Sequence, residues 1–161
     1  MLADDPLLTV RGTRRRRTPI RAVWDPGLGM PDDRALLRTA RESPVEVFCL
    51  PATLAARAGR AEEIRAQGAA VTAAESPRAL LEVLAARGAA TVLTEAGPGL
   101  VRALVAEGLV NDAWVFTSPH AVGGAGERTL APMRPAALAQ LERLWSGRRG
   151  GDLVELYRFP A

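Results

Sequence analysis

The sequence predicts an α/β fold of three layers, with a mostly parallel mixed sheet covered by helices on both faces. Three observations carry that prediction. Short β-rich runs alternate with stretches of helical periodicity from Ile20 to Phe159. Runs such as Val45-Glu46-Val47-Phe48-Cys49 and Ala90-Thr91-Val92-Leu93-Thr94 are apolar nearly throughout, as strands are when both sheet faces are buried. Turn residues punctuate the chain without any long linker or repeat, so residues 1–161 read as one domain of ordinary size.

Each element has its own justification. Ile20-Arg21-Ala22-Val23-Trp24 is a β-rich run closed by the turn Asp25-Pro26-Gly27. The run at 45–49 is stopped by Pro51. From Ala52 to Gln67, residues Leu54, Ala58, Ala61 and Ile64 recur near helical spacing, and Gly68 is placed to end that helix. Ala70-Val71-Thr72 follows as a brief strand. Ser76 and Pro77 open the next helix as cap and first residue, Leu80, Leu81 and Leu84 share a face, and Gly88 ends it. The run at 90–94 reads as a buried strand. A glycine turn then leads into a helix from Pro98 to Glu107, which Gly108 closes. Ala113-Trp114-Val115-Phe116-Thr117 is the next strand. Pro135 is expected to open an amphipathic helix carrying Leu138, Leu141, Leu144 and Trp145, before a final strand from Leu153 to Phe159.

Composition narrows the function classes. Apolar residues make up 48% of the chain and charged residues 24%. No apolar run approaches the roughly 20 residues that span a bilayer, so no membrane partner is expected. No basic segment followed by an apolar stretch opens the chain. The single cysteine, Cys49, excludes an internal disulfide, and both features point to the cytoplasm. All 21 cationic side chains are arginine, which rules out a Schiff-base lysine and a phosphate-loop lysine. The net charge is only +3, and the pI near 10.3 is high because arginine does not deprotonate. Arg14 to Arg17 form the one run dense enough to suggest nucleic acid. They lack interleaved aromatics, so a solvated loop is the better reading and no nucleic-acid partner is expected. His120 has no second histidine and Cys49 no second cysteine, so no metal is assigned. One histidine also supports no Ser-His-Asp triad. Trp24, Trp114 and Trp145 are expected in the core.

Glu95-Ala96-Gly97-Pro98-Gly99-Leu100 lies where a strand hands over to a helix. Glycines there let a ligand approach the backbone, and the free N–H groups and positive end of the helix favour an anion such as a pyrophosphate. Gly97-x-Gly99 followed by Ala103 approximates a dinucleotide turn. However, Arg102 stands where the third glycine belongs, and Pro98 removes a donor. On these residues alone, a dinucleotide turn and a plain tight strand-to-helix turn are equal readings.

Taken with the opening Met1-Leu2-Ala3-Asp4-Asp5-Pro6-Leu7-Leu8-Thr9-Val10-Arg11, this turn resembles the reductase domain of the bacterial bifunctional riboflavin-biosynthesis deaminase-reductase family. The likeness continues through Glu107-Gly108-Leu109-Val110-Asn111-Asp112, Ser118-Pro119-His120 and Gly123-Gly124. It implies a dihydrofolate-reductase-like fold and an NADPH-dependent reaction that turns the ribosyl group of a phosphorylated pyrimidine into ribityl. It implies substrate roles for Leu8, Arg11 and Glu95, and NADPH roles for Asp4, Gly97, Pro98, Gly99, Leu100 and Val101. A guanidinium at position 11 suits bidentate capture of a phosphate. No catalytic acid is assigned. Departures from the family pattern are Asn111-Asp112, His120 in place of a lysine, and Pro26 in place of a serine near the cofactor. Because the family is often dimeric, a homodimer is expected. Two alternatives stand beside this reading: a truncated, non-catalytic relative with a nucleotide-binding or structural role, and a reductase of a pteridine or another small carbonyl or imine compound.

The resemblance further implies that the chain starts inside the family pattern, without opening strands that line the nicotinamide and substrate pocket. Met1 stands at the valine of Thr-Val-Leu-Ala-Asp-Asp, and a GTG codon read as a start accounts for it. Uncovered sheet edges are the expected consequence.

Overall fold

The structure, a computed structural model, describes residues 5–10, 12, 18–120 and 135–160. In chain order the elements are β1 (Arg21–Trp24), α1 (Ala35–Arg38), β2 (Val45–Cys49), α2 (Pro51–Ala56), α3 (Ala58–Ala66), β3 (Ala70–Ala73), α4 (Pro77–Ala86), α5 (Pro98–Ala106), β4 (Asp112–Thr117), α6 (Pro135–Leu138), β5 (Glu142–Arg149) and β6 (Asp152–Arg158). They fall into two compact units, Met1–Thr91 and Val92–Ala161. The mixed α/β class expected from the sequence is the one observed, with its parallel and antiparallel strands in separate three-stranded sheets.

In the first unit the sheet is parallel, in the order β1-β2-β3, with Val23 beside Val47 and Val47 beside Val71. Parallel neighbours need crossover connections, and the helices supply them. Side chains alternate along β2. Val45, Val47 and Cys49 join Val23 and Val71 in a core with Leu36 and Leu37 of α1 and Ala61 and Ile64 of α3. Phe48 packs instead with Leu80 and Leu84 of α4, with Ala22 and Trp24 beside it. Helices thus cover both faces of this sheet, which is why β2 reads as a continuous apolar run.

One charge interrupts that run. Glu46, only 2% exposed, accepts a hydrogen bond from the Thr72 hydroxyl at 2.6 Å and forms an ion pair with Arg87 at the end of α4. Arg87→Leu should cost about 2–3 kcal/mol in urea denaturation, because it leaves a buried carboxylate without its charged donor. Adding Glu46→Leu should recover most of that loss, whereas a double variant no better than the single one would show that the pair itself stabilises.

The helix punctuation follows the sequence closely. Ser76 accepts from the Ala79 amide at 3.2 Å, and Pro77 occupies the first turn of α4. Gly68 ends α3 at φ +100, where a Cβ would lie 2.7 Å from Cγ of Arg41, so both torsion and space call for glycine. The helix expected from Ala52 to Gln67 is two helices. Arg57 leaves helical geometry between them and donates to the Gly27 carbonyl at 2.6 Å.

The second unit holds an antiparallel sheet in the order β4-β6-β5. Three expectations need correction here. The helix opened by Pro135 ends at Leu138, and the stretch with Leu144 and Trp145 is strand β5. Leucine spacing fitted a helix, but Gly150-Gly151 closes a two-residue hairpin that pairs Arg149 with Asp152, and this ladder outweighs a weak local preference. Trp114 and Trp145 flank Leu156 on one sheet face with ring centroids 5.8 Å apart, yet they are 55% and 40% exposed, so neither is a core residue. Trp24, in the first unit, is half-buried. Finally, residues 90–94 are irregular, not a buried strand. Val92 and Leu93 are exposed, because no neighbouring strand among the described residues pairs with them.

Candidate functional site

Two places in the structure carry features of a site, one in each unit. In the first unit a cleft of about 200 Å³ opens beyond the carboxyl end of β1, lined by Asp5, Pro6, Trp24, Asp25, Gly29, Met30, Arg34 and Leu36. Carboxyl ends of strands are where open α/β sheets take ligands, since loops diverge there and leave a crevice. Asp25 builds the far rim. Its carboxylate accepts from the amides of Gly29 at 3.0 Å and Met30 at 2.8 Å, folding the 25–30 loop back on the strand. An aspartate before Pro-Gly is a local turn signal, so this role was readable in the sequence.

The opening segment builds the near rim. Asp5 accepts from the amide of Ala35, the first residue of α1, at 2.8 Å and pairs with Arg38 at 3.9 Å. Helix α1 has no cap from its own flanking residue, so the second aspartate of Asp4-Asp5-Pro6 supplies one across 30 residues. Leu8 is half-buried and packs against the core at φ +49. Asp4 and Arg11 lie outside the described residues, as does the Arg14 to Arg17 run. Cys49, at the end of β2, is buried, and desolvation together with the nearby Asp25 charge pushes its thiol up, which makes it a poor nucleophile.

In the second unit Glu95, Gly97, Pro98, Gly99, Leu100 and Val101 run from an exposed loop into the first turn of α5. Gly97 is the N-cap residue and offers no side-chain cap, and Pro98 follows it. The amides of Gly99 and Leu100 therefore have no intrahelical acceptor, while that of Val101 reaches the Gly97 carbonyl at 3.3 Å. Neither Gly97 nor Gly99 has a positive φ, and a Cβ on either would meet nothing within 4 Å. Neither torsion nor packing asks for glycine here, and the space beside both backbones is open to an outside group. Two amides unclaimed among the described residues, at the positive end of a nine-residue helix, fit an anionic group such as a cofactor phosphate. Glu95 is exposed just before this turn.

Among the described residues no cluster of His, Cys, Asp and Glu could hold a metal ion, and no helix is long and apolar enough to cross a membrane. The His120 amide donates to the Ser118 hydroxyl at 3.2 Å, a local turn contact.

The fold matches solved structures. RibD of Acinetobacter baumannii superposes with a TM-score of 0.76 at 21% identity, covering 98% of this chain and 44% of that one. A pyrimidine reductase-like protein from Corynebacterium diphtheriae gives 0.67 at 14% identity, covering 89% of this chain and 62% of that one. A diaminohydroxyphosphoribosylaminopyrimidine deaminase/5-amino-6-(5-phosphoribosylamino)uracil reductase from Thermotoga maritima gives 0.66 at 18%, covering 98% and 42%. The fold is that of the dihydrofolate-reductase-like reductase domains, and the chain spans less than half the length of the Acinetobacter and Thermotoga proteins. No curated protein sequence matches it. Residues 1–151 match the RibD C-terminal domain family, and the chain belongs to that family.

Proposed function

We propose that this chain is an NADPH-dependent reductase acting on 5-amino-6-(5-phosphoribosylamino)uracil or a close phosphorylated pyrimidine, converting its ribosyl group to ribityl. The observation that carries the reading is the start of α5, where two glycines that the fold does not need expose two uncapped amides. In this reading the amides of Gly99 and Leu100 hold a cofactor phosphate, with Gly97, Pro98 and Val101 shaping the turn and Asp4 adding a polar contact. Leu8, Arg11 and Glu95 orient the substrate, Arg11 through its phosphate. When bound, NADPH supplies the hydride, and the protein's part is to hold and orient the reactants. We place the chain in the cytoplasm as a single functional domain and expect a homodimer.

A non-catalytic role is the second reading, favoured by the exposure of Val92 and Leu93 in an apolar run without a strand partner among the described residues. Calorimetric titration of NADPH into the whole chain, with NADH as control, separates the two. Micromolar binding that prefers NADPH supports the reductase. A folded chain that binds neither nucleotide supports the second reading and ends the first.

A further inference from the structure

We propose that Arg21 is a positioning residue which, together with Asp5, clamps the segment 5–8 into a fixed wall of the substrate site; the inference rests on the reductase reading above. Arg21, the first residue of β1, is only 2% exposed. One of its terminal nitrogens donates to the Leu7 carbonyl at 3.1 Å and the Thr39 hydroxyl at 2.8 Å, and the other to the carbonyls of Thr39 at 2.9 Å and Ser43 at 2.5 Å. All four acceptors are neutral. Enclosing a guanidinium this way is costly, and an apolar side chain of similar volume would fill the space at less expense. What the guanidinium does, and an apolar side chain cannot, is tie the carbonyl of Leu7 to the end of α1.

The segment needs that tie. Asp5 sits at φ +38 and Leu8 at φ +49, left-handed torsions that non-glycine residues hold only when their surroundings impose them. Three contacts impose them here. The Asp5 carboxylate is fixed to the first amide of α1, the Leu7 carbonyl to Arg21 and, through it, to Thr39 at the other end of α1, and the Leu8 side chain to the core. Between these points Asp5 and Pro6 form one side of the cleft beyond β1. Asp5 and Pro6 are thereby presented to the cleft from a rigid turn whose inner end, Leu8, is anchored in the core. A contact presented equally to ground state and transition state changes KM rather than kcat.

The test compares the whole wild-type chain with Arg21→Met, which keeps the stem without donors, and Arg21→Lys, which keeps charge and some donors. Hydrogen–deuterium exchange is read at the amides of Ala35, which donates to Asp5, and of Thr39, which closes the far end of α1. Steady-state kinetics are read with the phosphorylated pyrimidine at saturating NADPH. In Arg21→Met, exchange at these amides should speed at least tenfold while β2 and β3 stay protected. KM should rise at least tenfold with kcat within threefold, and the NADPH affinity should be unchanged. Arg21→Lys should recover part of both effects. Wild-type exchange and KM in Arg21→Met would overturn the proposal, as would equal losses spread over the whole sheet. If Arg21→Met does not fold, Asp5→Ala opens the clamp from its outer end and is judged by the same two readouts. If the wild-type chain neither binds NADPH nor turns over substrate, the reductase reading fails and the positioning role falls with it, while the exchange data still decide whether the clamp exists.

Discussion

Replacing Gly97 with aspartate is expected to make the chain more stable and to abolish NADPH binding. Helix α5 begins without a side-chain cap, and Gly97, at φ −67 and ψ 170, already has the extended geometry of an N-cap residue. A Cβ there meets nothing within 4 Å, so aspartate enters without strain. Its carboxylate would accept from the open amides of the first turn and oppose the helix dipole, a gain of a few tenths to about 1 kcal/mol over glycine. The same carboxylate occupies the donors that the proposed phosphate needs and places a negative charge against it. A loss of at least 100-fold in affinity follows, about 2.7 kcal/mol. Thermal melts and calorimetry on the one variant should therefore move in opposite directions. Gly97→Asn, a cap without charge, should keep the stability gain and lose less affinity. Undiminished NADPH binding by Gly97→Asp would remove the start of α5 from the site.

Phe48→Ala should destabilise the first unit by about 3–5 kcal/mol, read as a shift in the urea midpoint without a change in slope. Phe48 is fully buried on the central strand, and Leu80 and Leu84 of α4 close over it with Ala74. Collapse into the vacated volume is hindered, because β2 is held by β1 on one side and β3 on the other and α4 is pinned by its Ser76 cap. Cavities that cannot relax are the expensive ones. Phe48→Leu, which refills most of the volume, should cost less than half as much. A loss below about 1 kcal/mol for the alanine variant would mean that this face of the sheet is not the packed core described.

Much of the first unit was legible in the sequence, and for local reasons. The caps and stops at Ser76, Pro77, Gly68 and Gly88 act within one helical turn, so the chemistry and its effect lie side by side in the chain. The candidate turn at Gly97 and Gly99 was legible too, although residues alone left it equal to an ordinary turn. The absence of any torsional or packing need for glycine there supplies a reason for the first reading.

The misreadings share the opposite property. Leu138, Leu141 and Leu144 fitted a helix, but the partner that makes β5 a strand is β6. Residues 90–94 had the composition of a buried strand, but a strand exists only by virtue of a neighbour, and none pairs with them among the described residues. Trp114 and Trp145 were assigned to the core by residue type, while the sheet places them on an exposed face beside Leu156.

By itself, the sequence determined the α/β class and the ends of α4 and α5. All of these depend on periodicity, capping and backbone chemistry over a few residues. Only the tertiary structure decided that Asp5 caps a helix 30 residues away, that Arg21 holds Leu7, that Glu46 sits buried against Thr72 and Arg87, and that β5 is a strand. Each of these rests on a partner distant in the chain. A side chain's hydrogen-bonding capacity can be read from its type, but the atom that satisfies it is known only once the chain has folded.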